Sequence, residues 1–394
     1  MNLRPQDMPR LAFAPPQTAP RGDVLVVIFL RGAADVLNMV VPCGEAEYYR
    51  LRPVLAIPSP DEMRAAPDER AIDLDGFFGL HPAMRPLMGA WQAKHLAIVH
   101  ACGAPDESRS HFQAMALMER GVTDTGGPAS GWIGRHLAVL DTGNASPLRA
   151  IGLGARVPRS LYGTVSVTAL RSLADFRLGE AGDVLPGFRA ALDALYAGDT
   201  SLSGLGRETL AMLDTLGKIP PSSGSAYPDS AFGAGLQQVA ALIRAEAGLE
   251  AAALDLDGWD THFAQGRITG QMPSLMADLA DGLAAFHADL HAHLEHLTVV
   301  VMSEFGRRAY ENASLGTDHG HGSAIFVLGG HVHGGQVHGR WPGLAEAQLF
   351  EPGDLAVTTD YRDVLGEVLI KRLNDPALDV VFPGYAVQFP GVVY

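Results

Sequence analysis

The chain has 394 residues, 47% hydrophobic and 19% charged, with 29 basic against 44 acidic side chains and a formal net charge of −15. That balance excludes a disordered chain, and the acidic excess gives no electrostatic footing for nucleic acid. Two cysteines, Cys43 and Cys102, exclude a disulfide framework; neither has C-x-x-C metal spacing, and no run of 18 apolar residues reads as a membrane span.

Residues 1–22 are rich in proline and polar side chains and read as an N-terminal arm before a single α/β domain over 23–394. The arm holds no twin arginine and no long apolar run. The expected location is cytoplasmic as the sequence stands, and periplasmic if an export signal is missing from it. Asp23–Leu30 (DVLVVIFL) is a continuous apolar, β-branched run, as in a strand buried on both faces. Met84, Leu87, Met88 and Trp91 fall on one helical face and lead into a second strand, Leu96–Cys102. From 197 to 235 the composition shifts to Gly, Ser, Thr and Pro, which predicts a loop-rich or loosely helical insertion. Glu250–Leu256 then reads as a strand, Leu275 to Leu294 as a long amphipathic helix, and Leu297–Met302 and Ala324–Leu328 as strands. A closing helix carries Tyr361, Val364, Leu365, Val368 and Leu369 on one stripe. Alternating strands and helices predict a mostly parallel central sheet with helices on both faces.

Ligands of such sheets bind outside the carboxyl ends of the strands, which directs attention to the residues following each one. These are Arg31 and Asp35; Asp106, Ser108, Arg109, Ser110 and His111; Asp255, Asp257, Asp260 and His262; and Glu304, Arg307 and Arg308, followed by Asp318, His319 and His321. Carboxylates and imidazoles gathered on one rim suit a divalent cation, zinc, manganese or calcium, with Asp260, His262, Asp318, His319 and His321 as the metal set. Ser110 with Gln113 is a capping-box pattern, so helix capping is its first reading and nucleophile its second. His111 stands next to it as a proton carrier. Glu304 and Arg307 complete the catalytic candidates, while Arg31, Asp35 and Arg109 are the substrate-binding ones, with structural ion pairs as the competing role of Arg109, Arg307 and Arg308. His287 and His291 flank an apolar stripe and read as boundary residues; His331, His333 and His338 read as a solvated loop.

Six segments carry a family resemblance: VIFLRGAADVLNMVVP, SRSHFQAMALMERG, DGWDTHFAQ, VVVMSEFGRR, GTDHGHGSAIFVLGGHVHGGQVHGRWPGL and TTDYRDVLGEVL. In this order they resemble the domain-of-unknown-function 1501 family, grouped with the alkaline phosphatases and sulfatases. The resemblance implies an alkaline-phosphatase-like fold and a metal-assisted hydrolase of a small anionic ester, phosphate or sulfate. The alternative is a non-catalytic binding protein on the same fold that has lost the metal site. Two departures stand out. Arg31 and Gly32 occupy the place after the first strand where the superfamily's enzymes carry aspartate, and Glu304-Phe305-Gly306 stands where they carry Asp-His-Gly.

Overall fold

The computed structural model describes residues 23–140, 142–144, 146–154, 156–170, 185–217 and 226–394; the arm expected over 1–22 lies outside them. The main sheet is built from β1 (Val24–Arg31), β2 (Leu96–Gly103), β3 (Ala150–Leu153), β4 (Thr168–Leu170), β5 (Ala251–Asp257), β6 (Leu297–Ser303), β7 (Ser323–Gly329), β8 (Val337–His338) and β9 (Thr359–Asp360). Its order is β8-β2-β7-β6-β1-β5-β3-β4, with β9 also paired to β2. β1 lies in the middle, parallel to both β5 and β6, with Arg31 beside Asp257 and Leu30 beside Ser303. Among the described strands only β7 runs against its neighbours, β6 and β2. The sheet is thus mostly parallel.

Why the strands read as unbroken apolar runs follows from the two layers that cover them. The alternate residues Val24, Val26, Ile28 and Leu30 of β1 enter one core, and Leu25, Val27 and Phe29 the other. Among the helices are α1 (Met88–Gln92), α2 (His111–Arg120), α3 (Trp132–Val139), α4 (Ser201–Leu216), α5 (Ala231–Arg244), α6 (Gln271–Asp289) and α7 (Tyr361–Arg372). Leu236 and Val239 of α5 and Leu279, Leu283 and Phe286 of α6 close the first core. Ile133 and Leu137 of α3 and Val364, Leu365 and Val368 of α7 close the second. Each such side chain contributes about 1.5–3 kcal/mol on burial. A small antiparallel sheet of Val40–Val41, Gly79–Leu80 and Ile72–Asp73 packs beside this frame.

One expectation needs correction, and another takes a definite form. The stripe from Met84 to Trp91 is not one helix but a 3-10 turn over Pro82–Leu87 followed by α1, because Pro86 inside it lacks the N–H an α-helix would use. The stretch 197–235 contains a regular 16-residue helix, α4, capped by the Thr200 hydroxyl, and the start of α5, capped by Ser230. Among the described residues no helix is long and apolar enough to cross a membrane.

The parallel strands β1, β2, β5 and β6 all present their carboxyl ends on one rim. Antiparallel β7 presents its amino end there, so residues preceding it join residues following the others.

Candidate metal and acid/base site

Three histidines converge on that rim. His111 opens α2 after β2, His262 follows β5, and His319 precedes β7. Their rings are in contact, His111 to His319 at 4.3 Å and His262 to His319 at 4.5 Å between centroids. Phe305, buried and stacked on His111 at 5.0 Å, forms the floor. The Nε2 atoms of His262, His319 and His111 stand 3.1, 3.3 and 3.4 Å from one oxygen, Asp260 Oδ1.

Each ring is held from behind through Nδ1. His111 Nδ1 is 2.7 Å from Glu304 Oε1, His262 Nδ1 is 3.0 Å from Asp318 Oδ1, and His319 Nδ1 is 2.8 Å from the Arg109 carbonyl. Carboxylates and carbonyls only accept, so each Nδ1 carries the proton, and in the neutral ring each Nε2 is a lone pair. Three lone pairs and a carboxylate oxygen therefore face one another. His262 Nε2 and His319 Nε2 are only 2.8 Å apart, and His111 Nε2 is buried without a hydrogen-bond partner. Such a convergence repels itself unless a cation or extra protons occupy it. His111, Asp260 and His319 each offer a ligand atom within 4.8 Å of the others, so this donor set of two imidazoles and one carboxylate fits a divalent transition ion. The backing groups are the second layer that such ligands commonly have.

The electrostatics agree with these roles at Asp260 and His319, while at His111 they favour a second proton in place of a cation. Burial alone would raise the Asp260 carboxyl, but the Arg307 guanidinium beside it and the nearby imidazoles hold it down to about 2. Burial, with His111 and Arg307 as neighbours, pushes His319 below the usual imidazole range and so keeps its lone pair. His111 is raised by its hydrogen bond to Glu304. Asp318 is lowered, first by the Asn312 amide, whose Nδ2 donates to its Oδ1 at 3.0 Å, and then by His262.

Close backbone approach makes this packing feasible. Gly32, at φ 114°, lies against the Asp260 segment, where a Cβ would stand 2.6 Å from the Asp260 nitrogen. Gly320 lies against Arg307, where a Cβ would stand 2.4 Å from its carbonyl carbon.

Not every expected residue joins the cluster. His321 is buried, its ring stacked on Phe350 at 4.5 Å, and stands apart from the three-residue set. Arg307 is fully buried and donates to the carbonyls of Gly32, Ala33, Trp259 and Thr317 as well as to Asp260 Oδ1. It positions Asp260 and turns no donor toward solvent. Glu304 is likewise buried, its Oε1 accepting from the Gly32 N–H and facing His111 Nδ1. The expected substrate-binding groups are engaged elsewhere: Arg31 with Glu119 and Asp255, Asp35 with Arg52 and Gln265, and Arg109 with Asp354. Paired guanidinium groups in these positions hold the frame. Ser110 is the N-cap of α2, yet its side chain makes no capping bond and is exposed. Two contributors escaped sequence reasoning: Asn312, set in an ordinary polar loop, and the Arg109 carbonyl, which no side-chain pattern can reveal.

Among curated proteins none matches the chain. Of solved structures, it resembles the C-terminal periplasmic domain of EcEptC from Escherichia coli in complex with Zn, at 10% identity and TM-score 0.34, over 81% of this chain and 77% of that one. The PsFucS1 sulfatase from Pseudoalteromonas sp. is similar at 10% identity and TM-score 0.37, over 95% and 73% of the two chains. The lipoteichoic acid synthase LtaP from Listeria monocytogenes is similar at 8% identity and TM-score 0.34, over 95% and 75%. These likenesses are distant, and the chemistry of the site rests on its own residues. A family model matches residues 23–369, nearly the whole described chain, and by that match the protein belongs to the family of proteins of unknown function DUF1501.

Proposed function

We propose that the protein is a metal-assisted hydrolase of an anionic ester, phosphate or sulfate. One observation carries this reading: imidazole lone pairs, each oriented by a proton fixed at Nδ1, aimed at a shared point beside an ionised aspartate. His111, Asp260 and His319 hold the divalent cation, zinc or manganese before calcium given the nitrogen donors. When bound, it supplies the positive charge that draws and polarises an ester oxygen. That charge is needed, because three carboxylates, Asp260, Glu304 and Asp318, stand around the cluster, and Arg307, the guanidinium that touches it through Asp260, is engaged by protein acceptors.

His262 stands at the flank, its side chain 40% exposed, and its Nδ1–H held by Asp318. It accepts a proton at Nε2 from the attacking group and returns it to the leaving oxygen, with Asp318 stabilising the imidazolium between the two steps. The Ser110 hydroxyl, uncapped and next to His111 in the chain, is the candidate nucleophile; its attack expels the alcohol and leaves a seryl ester, which water then cleaves to restore the hydroxyl. Glu304, Arg307 and the Arg109 carbonyl orient the ligands. The second reading, a binding protein that has lost its metal, has one observation in its favour: Arg31, Arg109 and Arg307 are all engaged by protein acceptors.

The deciding experiment is elemental analysis of the purified chain, joined to a screen of aryl phosphates and sulfates with added zinc, manganese or calcium. About one ion per chain and turnover of one ester class are expected. His262→Ala should then lower turnover about a hundredfold or more with the ion retained, and His319→Ala should lower both turnover and ion content. A chain that binds no ion and turns over no ester leaves the second reading standing.

A further inference from the structure

Phe112 and Phe263 are the two most exposed aromatic side chains among the described residues, at 88% and 75%. Both immediately follow a site histidine, His111 and His262, and those two histidines flank the same ring, His319. One exposed apolar side chain is ordinary on a protein surface. Two large exposed rings, each one residue along the chain from a histidine of the same polar site, are not explained that way. Exposed Leu315 joins them: its carbonyl accepts from Gln265 N and that of Ser314 from Ala264 N, which fastens this turn against the Phe263 segment. Leu315 at φ 57° and Ala264 at φ 46° both hold the left-handed backbone that side-chain-bearing residues avoid. Strain of this kind occurs in ordinary turns, as at Lys94 and Glu246, and also where a segment is shaped for a ligand.

We propose that Phe112 and Phe263, with Leu315 beside the latter, form an apolar mouth that grips the organic part of the ester. The inference rests on the reading above and names the substrate class: an ester whose alcohol carries a flat apolar face. The geometry separates the two halves of such a molecule. Its charged group lies at the floor of histidines and Asp260, and its organic group emerges between the rings, where leaving water is favourable by area.

Two phosphonates that cannot be hydrolysed test it. Calorimetric titration of the zinc-loaded full chain with phenylphosphonate and methylphosphonate should show the phenyl compound binding about tenfold more tightly. Phe112→Ala and Phe263→Ala should each reduce that ratio; both rings are exposed, so neither substitution opens the core. Equal affinity for the two compounds, or an undiminished ratio in both variants, overturns the apolar mouth and leaves the ester reading intact. If the zinc-loaded chain binds neither these compounds nor the matching phenyl- and methylsulfonates, the ester reading fails and this inference with it.

Discussion

Two kinds of histidine occupy this molecule, told apart by which nitrogen holds the proton. At the site, Nδ1 donates and Nε2 faces the cluster. At His81 and His100 in the interior the arrangement is reversed: His81 accepts from the Ala83 N–H at Nδ1 and donates through Nε2 to the Arg267 carbonyl, and His100 accepts from Ala101 N and donates to the Val40 carbonyl. A second proton on either of these buried rings would set N–H against N–H, and burial lowers both to about 4. The sign follows from linkage. Unfolded imidazole takes up protons near its ordinary value of 6.5, the folded rings only near 4, so stability is lost as pH falls through that window. Between pH 7.5 and pH 5 each ring should withdraw roughly 2 kcal/mol. Urea midpoints at the two pH values check this, and replacing His100 by Gln should remove part of the dependence. The sequence singled out the polar histidines of the rim and was silent on His81 and His100, because tautomer choice depends on neighbours distant in the chain.

Five of the nine described main-sheet strands, β1, β2, β5, β6 and β7, were legible, because a run with apolar side chains on both faces leaves few other structures open; the short β3, β4, β8 and β9 carry no such run and went unread. Direction was not legible. AIFVL reads the same in a parallel or an antiparallel strand, and only the pairing of β7 with β2 and β6 shows that His319 reaches the rim from before a strand. Side-chain direction was equally hidden: Arg31 follows β1 as expected, yet Glu119 on α2 draws it away from the cluster. Where loops meet, the packing leaves no room. The Gly320 N–H donates to the Gly306 carbonyl, and Arg307 and His319 pair as an isolated bridge, with no space for a Cβ at Gly320. Gly320→Ala should therefore cost about 1–3 kcal/mol and swing His319 out of line. The far-ultraviolet circular dichroism should be retained, while competition with a chelator should show ion affinity down by roughly tenfold or more.

Across the whole molecule, the ligands come from remote parts of the chain yet sit over neighbouring strands. His111 belongs to the β2 side of the sheet, Asp260 to the β5 side, and β7, β6 and β1 lie between. A bound ion would thus act as a clasp across five adjacent strands, fastening the left and right flanks of one sheet. An unfolded chain cannot assemble that clasp, so occupancy adds directly to the free energy of unfolding, about 2.7 kcal/mol at a hundredfold excess over the dissociation constant. Zinc should raise the melting temperature, the chelator should lower it, and the gain should vanish in Asp260→Ala. Melting should stay a single transition with and without the ion, because the clasp joins parts that already share one core; a separate early transition restored by zinc would instead mean that the rim unravels by itself.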